Sequence, residues 1–527
     1  MRIVLLFLFL TASLWANEAP AAYKGRFRPV EAYAQEWLEE NYHAKKIHRA
    51  DQTKFPAKTP LELLWIYHFE GANAFKETPL FWIGDAQTKA DVDLPLKQER
   101  FTLRELEQKL PSRIENFQHA STTYNPNQML QYQLWGAGDT FRMLPSRYGA
   151  GEWISLKALT WPVGNFTLYP DAAFGQIRSA YLDLQKEPRN RALQQKLLEQ
   201  LSQAYIPLAG TVYLQGHHAQ LAYPTLGQLS AEAFYTQFPW IPLAVGFYLA
   251  AALAFGLFPT FRKTGLAFML AGFAIHSAFL FLRCYILGRP PVANMAETMI
   301  YVPWIAVLLS LVFSKYPIAN LTGALIGGTL LAILNLTLDP ALENVQAVLN
   351  SQYWLTIHVL MVVASYGVFL LSGILAHFYL FGKKTVAPLI LQTLYLGVAL
   401  LIPGTILGGV WAAESWGRFW DWDPKESWAF ISICVYILVI HAYRFRRIGY
   451  DGLAIGSILG LQAIIFTWYG VNYILGTGLH TYGFGSGGEV FYILGFMLEI
   501  TLIALFLVKN RLNFSLKSVM GLAHPFK

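Results

Sequence analysis

The sequence predicts a polytopic α-helical membrane protein of about nine spans, preceded by an exported soluble domain of mixed α/β structure. Of its 527 residues, 54% are hydrophobic and only 14% are charged, a composition typical of membrane proteins. Only ten of the 33 acidic residues lie after Ala233, so a polar front part precedes an apolar remainder. From Ile241 onward, apolar runs long enough to cross a bilayer alternate with short polar loops.

Residues 1–16 predict a signal peptide. A single Arg precedes an apolar run that is shorter than the roughly 20 residues of a spanning helix, and Ala16 offers a cleavage site. An uncleaved anchor is the alternative, and either segment directs the front domain across the membrane. We therefore expect residues 17–237 to form an extracytoplasmic domain, with a helix at Val30–Tyr42 and a β-rich piece at 209–215.

Residues 238–510 form the predicted membrane domain, and residues 511–527 form the predicted cytoplasmic tail. Each span is placed where an apolar run approaches the roughly 20 residues that a bilayer requires. The predicted spans lie near 241–258, 266–286, 298–313, 321–337, 357–381, 389–411, 428–443, 453–471 and 489–508.

Basic residues set the predicted orientation of these spans. If the front domain is exported, the first span runs inward, and the loops that then face outward hold far fewer Lys and Arg, as the positive-inside rule requires. The front domain and the loop after the sixth span are thus expected in the periplasm, and the protein in the bacterial inner membrane. The net charge of +7 largely reflects this bias and does not indicate nucleic-acid binding. The basic residues on the inner side are Arg262, Lys263, Lys315, Lys383, Lys384, Arg444, Arg446, Arg447, Lys509 and Arg511.

Segment 416–428, between the sixth and seventh predicted spans, combines four tryptophans with several charged side chains. Charged groups are costly beside hydrocarbon, so this segment is expected at the membrane surface or in a polar pocket. Any single tryptophan here is most simply part of an interfacial aromatic belt. Together they predict an aromatic shelf for a large, flat ligand with charged edges, such as heme. The candidate residues are Trp416, Arg418, Trp420, Asp421, Trp422, Asp423, Lys425 and Trp428.

Two histidines flank this segment on the same predicted side of the membrane. His358 opens the fifth span, and His480 lies in the loop after the eighth. Two neutral imidazoles that face each other can ligate a heme iron axially. A single histidine at a membrane boundary is more often a hydrogen-bonded surface group, so the prediction depends on the pair.

Three further histidines lie within predicted spans, where ionisable residues are candidates for function. His441 is near the inner end of the seventh span and is either functional or simply reaches the interface. His276, in the second span, is either functional or a packing residue. His377, near the inner end of the fifth, is expected to reach the inner interface.

The only two cysteines, Cys284 and Cys434, lie in predicted spans and form no C-x-x-C motif. The chain therefore lacks a thioredoxin-like pair for reducing disulfides, and it lacks the C-x-x-C-H motif of c-type cytochromes. It also contains no P-loop, so the sequence does not support nucleotide-driven transport.

The membrane half resembles a known family. Segment 416–428 resembles the WWD signature of heme-handling proteins. Its order relative to His358, His441 and His480 resembles CcsA (also called ResC), the membrane subunit of the system II cytochrome c synthase. Segment 283–298 is also similar to that family. Through residues 23–30, the front domain more loosely resembles the exported region that precedes CcsA in fused CcsB–CcsA synthases.

The resemblance implies an enzyme of cytochrome c biogenesis, of the holocytochrome c synthase (heme lyase) type. Heme b, held non-covalently, is moved to the outer face, where the thiols of an apocytochrome c C-x-x-C-H motif add to its vinyl groups. His358 and His480 match the external axial ligands, segment 416–428 matches the heme platform, and His441 matches one ligand of a heme site within the membrane. Arg418 and Lys425 are then candidate contacts for the propionates.

The resemblance also implies partners. In the fused proteins the other ligand of the inner site comes from the CcsB part, which we do not find ahead of this region. A separate CcsB-like (ResB-like) subunit is therefore expected, unless the inner site is incomplete or His276 substitutes without motif support. A thiol-reducing, thioredoxin-like protein is expected as an indirect partner.

Two other functions stay open on the sequence. The protein is alternatively a heme carrier or exporter without ligase activity, because a WWD segment alone does not imply the ligase step. It is alternatively an unrelated transporter whose tryptophan loop forms a gate. The front domain and His480 favour the synthase.

Overall fold

The chain folds into two compact units, Met1–Phe238 (unit 1) and Pro239–Lys527 (unit 2), which are described separately. The predicted signal peptide, His480 and the end of the predicted tail lie outside the part of the chain that the structure describes. The computed structural model describes residues 19–23, 26–84, 86–91, 93–109, 140–147, 153–161, 166–215, 219–257, 259–338, 342, 351–475 and 489–519.

Unit 1 contains three small antiparallel sheets in its described residues. The largest has four strands in the order β2-β1-β5-β6, so the first strand of the chain pairs both with the second and with a strand that begins only at residue 142. The strands are β1 (Pro20–Tyr23), β2 (Arg26–Pro29), β3 (Phe81–Trp82), β4 (Arg100–Phe101), β5 (Arg142–Pro145), β6 (Trp153–Ser155), β7 (Val212–Gln215) and β8 (Ala219–Ala222).

Helices cover the sheets of unit 1, and local sequence signals explain several of their ends. The helix expected at Val30–Tyr42 has these same bounds. Thr59 and Thr225 each form a capping box that satisfies backbone N–H groups at a helix start. The helices are α1 (Val30–Tyr42), α2 (Pro60–Glu70), α3 (Ala86–Asp91), α4 (Leu103–Lys109), α5 (Asp171–Lys186), α6 (Arg191–Tyr205) and α7 (Leu226–Gln237).

A buried ion pair connects the two ends of unit 1. Arg26 Nη2, on β2, donates to Glu232 Oε2, on α7, at 2.9 Å, and both side chains are buried. Nearby, Arg28 pairs with Glu36 of α1. Charges removed from water are stable only with such partners, so these pairs hold β2 firmly against the helices.

Unit 2 is a bundle of membrane-spanning helices, which confirms the predicted fold class. Nine helices in the described residues are long and apolar enough to cross a bilayer. Most extend beyond the apolar run that predicted them, because polar residues at their ends continue the helix. They are α8 (Trp240–Leu257), α9 (Arg262–Leu287), α10 (Met295–Val312), α11 (Pro317–Thr337), α12 (Gln352–Leu380), α13 (Ala387–Trp416), α14 (Pro424–Arg444), α15 (Tyr450–Leu475) and α16 (Glu489–Val519).

Two of these helices contain π-helical segments, in which the backbone is wider than in an α-helix. One occupies Leu355–Val359, near the start of α12, and the other occupies Phe466–Leu475, at the end of α15. Both segments contribute side chains to the cavity described below.

Close packing and shared polar contacts hold the bundle together. Small residues allow the helices to approach, since a Cβ on Gly367 of α12 would stand 2.6 Å from the Val302 carbonyl oxygen of α10. His276 of α9 is buried, with Nδ1 3.1 Å from the Tyr248 hydroxyl and Nε2 2.9 Å from the Ile300 carbonyl oxygen. Because both of its nitrogens are engaged, His276 is a packing residue that joins three helices.

We expect unit 1 to lose stability as the pH falls through the range from 6.5 to 3. His68 is buried between the Thr140 hydroxyl (2.7 Å) and the Tyr181 hydroxyl (3.0 Å). Burial, aided by the charge of Lys157, lowers its pKa to about 3. In this range the unfolded chain therefore binds a proton at His68 that the folded chain does not bind. As a result, the free energy of unfolding falls by about 1.4 kcal/mol for each unit that the pH falls.

Thermal unfolding of the full chain in detergent, followed at pH 4 to 7, measures this effect. His68→Gln is expected to unfold more easily at pH 7 but to show a shallower pH dependence. An unchanged pH dependence in this variant would contradict the assignment.

Candidate functional site

A cavity that is open to solvent lies among five elements of unit 2. Its walls are mostly apolar, with a few polar groups directed inward. They come from segment 292–298 at the start of α10, from α12, from α13, from the turn that leads into α14, and from the end of α15. The polar and aromatic lining residues are Asn294, Thr298, His358, Tyr366, Thr405, Trp420, Lys425, Glu426, Trp468 and Asn472.

His358 lies in the first π-helical segment and lines this cavity. Its Nδ1 is 2.7 Å from the Gly404 carbonyl oxygen of α13. A carbonyl oxygen only accepts hydrogen bonds, so Nδ1 carries the proton and the neutral ring has its lone pair on Nε2. The ring also contacts the edge of Trp411, at 5.9 Å between centroids. This tautomer suits a metal ligand that coordinates through Nε2.

The four predicted tryptophans do not all line the cavity, although Trp420 and Trp422 meet edge to face at 5.9 Å between centroids. Trp420 lines the cavity, and its indole N–H is buried with no hydrogen-bond partner in the described residues. Trp416 packs with the aromatic cluster formed by Trp354 and Trp411. Trp428 packs on Phe466 of α15, at 4.2 Å between centroids. Trp422 is 69% exposed.

The charged residues of segment 416–428 mainly build a turn and a helix start. Asp423 caps α14, and its side chain accepts the Glu426 backbone N–H at 2.9 Å. Glu426 Oε2 accepts the backbone N–H groups of Asp421 and Asp423 in return, at 2.9 and 3.3 Å. This capping box explains the spacing of the acidic residues.

The two predicted propionate contacts lie in different places. Arg418 donates to Asp421 at 2.6 Å on the surface, where both side chains are well exposed. Lys425 lines the cavity instead, with Nζ 3.4 Å from both the Trp468 carbonyl oxygen and Asn472 Oδ1. Since these contacts are long, the ammonium is held only weakly and can turn toward a ligand.

Part of the cavity wall was not expected as a site from the sequence. Trp468 and Asn472 come from the second π-helical segment, and the Trp468 indole N–H donates to the Thr298 hydroxyl at 2.9 Å. This bond joins α15 to α10 across 170 residues of chain. The available signal was a Trp and an Asn near the end of an otherwise apolar span.

A buried cluster of charges supports the wall formed by segment 292–298. Glu297 accepts from Arg283 at 3.2 Å, from Arg289 at 2.9 and 3.1 Å, and from the backbone N–H of Ala293 at 2.8 Å. The carboxylate is fully buried, and Asn294 caps the same helix start. Segment 283–298, noted above for its resemblance, therefore holds one wall in place.

The remaining predicted histidines are separate from the cavity. His441 lies about 22 Å along α14 from Glu426, is exposed, and directs Nδ1 to the Ile437 carbonyl oxygen at 2.8 Å. His377 places Nε2 2.7 Å from Glu499 Oε2 of α16, and its expected position at the inner interface stays a prediction. His480 lies outside the described residues, so its position opposite His358 stays a prediction.

Among the lining residues of the cavity, His358 is the imidazole that could coordinate a metal. In the described residues, no three His, Cys, Asp or Glu side chains are grouped so as to hold a metal ion. The cavity lining combines the His358 imidazole, the Lys425 ammonium and the Glu426 carboxylate with aromatic side chains.

The part of the chain that forms the cavity is also the part that is similar to known proteins. Residues 292–480 match the family model described as cytochrome C assembly protein, and every lining residue of the cavity falls within that range. The chain is 36% identical to protein NrfI of Wolinella succinogenes over 293 residues, which are 50% of this chain and 32% of that protein. The chain thus spans about a third of the length of NrfI.

Relatives named CcsA are matched over more of their length. The chain is 30% identical to the cytochrome c biogenesis protein CcsA of Prochlorococcus marinus over 244 residues, which are 37% of this chain and 76% of that protein. It is 27% identical to CcsA of Parasynechococcus marenigrum over 287 residues, or 45% and 93% of the two chains.

Glu297→Gln is expected to destabilise unit 2 by about 3–5 kcal/mol, because it leaves two buried guanidinium groups without their carboxylate. Thermal unfolding in detergent measures the loss. Asp421→Asn is the matched control, since it removes an exposed ion pair that contributes about 1 kcal/mol or less. Equal effects of the two substitutions would contradict the assigned role of the buried cluster.

Proposed function

Because this chain belongs to the CcsA family of cytochrome c biogenesis proteins, we propose that its cavity binds heme and presents it for attachment to an apocytochrome c. Heme b is here a substrate, held non-covalently. The chain then acts as the membrane subunit of a holocytochrome c synthase.

This proposal rests on one observation, which is that His358, Trp420 and Lys425 line the same cavity. The His358 tautomer offers Nε2 to an iron, and the Lys425 ammonium attracts a propionate. The buried indole N–H of Trp420 gains a partner if a ligand oxygen accepts from it. His480 is proposed as the second axial ligand, on the strength of the sequence resemblance alone.

The proposed reaction requires positioning more than acid–base catalysis. Each thiol of the apocytochrome C-x-x-C-H motif adds across one heme vinyl group, with sulfur bonding to carbon and the thiol proton ending on the neighbouring carbon. Holding heme at a fixed depth and angle makes this encounter effectively intramolecular, which is a large source of rate enhancement. The histidine of the incoming motif then replaces one imidazole of this chain, and the product leaves.

A second heme position, at His441, is proposed for the route toward this cavity. His441 is exposed near one end of α14, so a ligand from another subunit has access to the same iron. A CcsB-like membrane subunit is the proposed source of that ligand. A separate thioredoxin-like protein is proposed to keep the apocytochrome thiols reduced.

The proposed location is the inner membrane of a bacterium. The distribution of basic residues in the loops supports an orientation with unit 1 and the turn that contains Trp420 in the periplasm. A heme carrier without ligase activity is the second candidate function, since the cavity alone accounts for binding. Coexpression with an apocytochrome c and measurement of covalently bound heme separates the two, because a carrier leaves that heme extractable.

His358→Ala is expected to abolish or strongly shift the reduced-heme spectrum of the purified protein, because it removes a proposed axial ligand. The measurement is the absorbance spectrum at equal protein concentration, with His43→Ala, on the surface of unit 1, as the control. A wild-type spectrum in His358→Ala, or a heme-free wild type in every preparation, contradicts the proposal.

Lys425→Gln is expected to weaken heme binding about tenfold or more, because a charge-assisted hydrogen bond to a propionate is lost. Arg418→Gln is the control and is expected to have little effect, since Arg418 is paired on the surface. Titration with heme and with its dimethyl ester measures both variants. An equal loss of affinity for the ester, which has no propionate charge, contradicts the role assigned to Lys425.

A further inference from the structure

Two glycines of α13, Gly404 and Gly408, lie one helical turn apart on the face that packs against α12. A Cβ on Gly404 would stand 2.8 Å from Val362 Cγ2 and 3.3 Å from the Val362 backbone nitrogen. The absence of a side chain at this position therefore allows the two backbones to come close.

Gly408 has a different neighbour. A Cβ at this position would stand 2.5 Å from Cε1 of His358 and 3.0 Å from each ring nitrogen. The side of the imidazole that carries Nδ1, Cε1 and Nε2 thus rests directly against the Gly408 backbone. Real Cβ atoms do not approach so closely, so an alanine here would force the ring to move.

The two glycines act on the same ring from two sides. The close approach at Gly404 brings its carbonyl oxygen within 2.7 Å of His358 Nδ1, which fixes the tautomer. The open space at Gly408 lets the ring lie between the helices beside the cavity, which both His358 and Gly408 line. Neither effect is available to a residue with a side chain at these positions.

We propose that Gly404 and Gly408 are positioning residues for His358, and together we call them the imidazole seat. The seat sets the tautomer, the rotation and the depth of the ring, and hence the direction in which Nε2 reaches a metal. This inference rests on the proposed function, in which His358 ligates the heme iron. Groups that orient a metal-bound histidine typically change metal affinity about 10–100-fold when they are altered.

If Gly408 served helix packing alone, an alanine at another tightly packed glycine of α13 would have the same effect on heme binding. Gly397, on the same helix, is also tightly packed, since its Cβ would stand 2.4 Å from the Phe369 ring. It lies about 16 Å from Gly408 along the helix axis, counted at the rise of an ideal helix. Gly397→Ala therefore introduces a comparable clash without touching His358, and it is the matched control.

The test compares Gly408→Ala, Gly397→Ala, His358→Ala and the wild type as full-length proteins purified from membranes. Reduced and oxidised heme spectra, the heme reduction potential and the heme content are recorded with and without added imidazole. We expect Gly408→Ala to weaken heme binding about 10–100-fold and to shift the spectrum and potential toward those of His358→Ala. Imidazole, which replaces a missing ligand, is expected to restore the spectrum of both variants, whereas Gly397→Ala resembles the wild type.

Two results would overturn the imidazole seat. One is a Gly408→Ala protein with the spectrum and potential of the wild type. The other is an equal loss of heme in Gly408→Ala and Gly397→Ala that imidazole does not reverse, which indicates packing alone. If His358→Ala itself leaves the heme spectrum unchanged, the proposed function fails first, and the seat fails with it.

Discussion

The close contact between α12 and α13 determines where His358 stands, and the rest of the cavity is arranged around that ring. The contact depends on residues without side chains, because Gly404 and Gly408 occupy the face of α13 that meets Val362 and the imidazole. The π-helical segment around His358 widens the backbone of α12 at the same level. The His358 ring is thus held by backbone atoms, which have far fewer conformations available than side chains do.

Several polar groups inside the bundle have hydrogen-bond partners on neighbouring helices or loops. Glu297 accepts four hydrogen bonds, and the Trp354 indole N–H donates to Glu414 at 2.8 Å beside the cavity. Hydrocarbon offers no hydrogen bonds in exchange, so a wall that lost one of these partners would have to rearrange. The same constraint allows the cavity to present a few polar groups to a ligand while its surroundings stay fixed.

The sequence predicted the spans and the polar turn with the tryptophans, because apolar length and local motifs are visible in a single chain. His358 lines the cavity, and its role as a ligand stays a prediction. It did not predict that Trp420 would line the cavity while Trp416 and Trp428 pack against other aromatic residues and Trp422 is largely exposed. Nor did it predict the wall that Trp468 shares with Thr298. Both depend on contacts between helices distant in the chain, and the π-helical segments have no simple periodic signal. The predicted pairing of His358 with His480 still rests on resemblance.

The ion pair between Arg26 and Glu232 has a consequence for the order of events during synthesis. Ribosomes make the chain from its N-terminus, so β2 emerges early and must wait about 200 residues for its partner. Unit 1 therefore cannot close until α7 is complete, when the first residue of α8, Trp240, is only three positions beyond the end of α7. Completion of the front fold and entry of the first helix into the bilayer are thus nearly simultaneous.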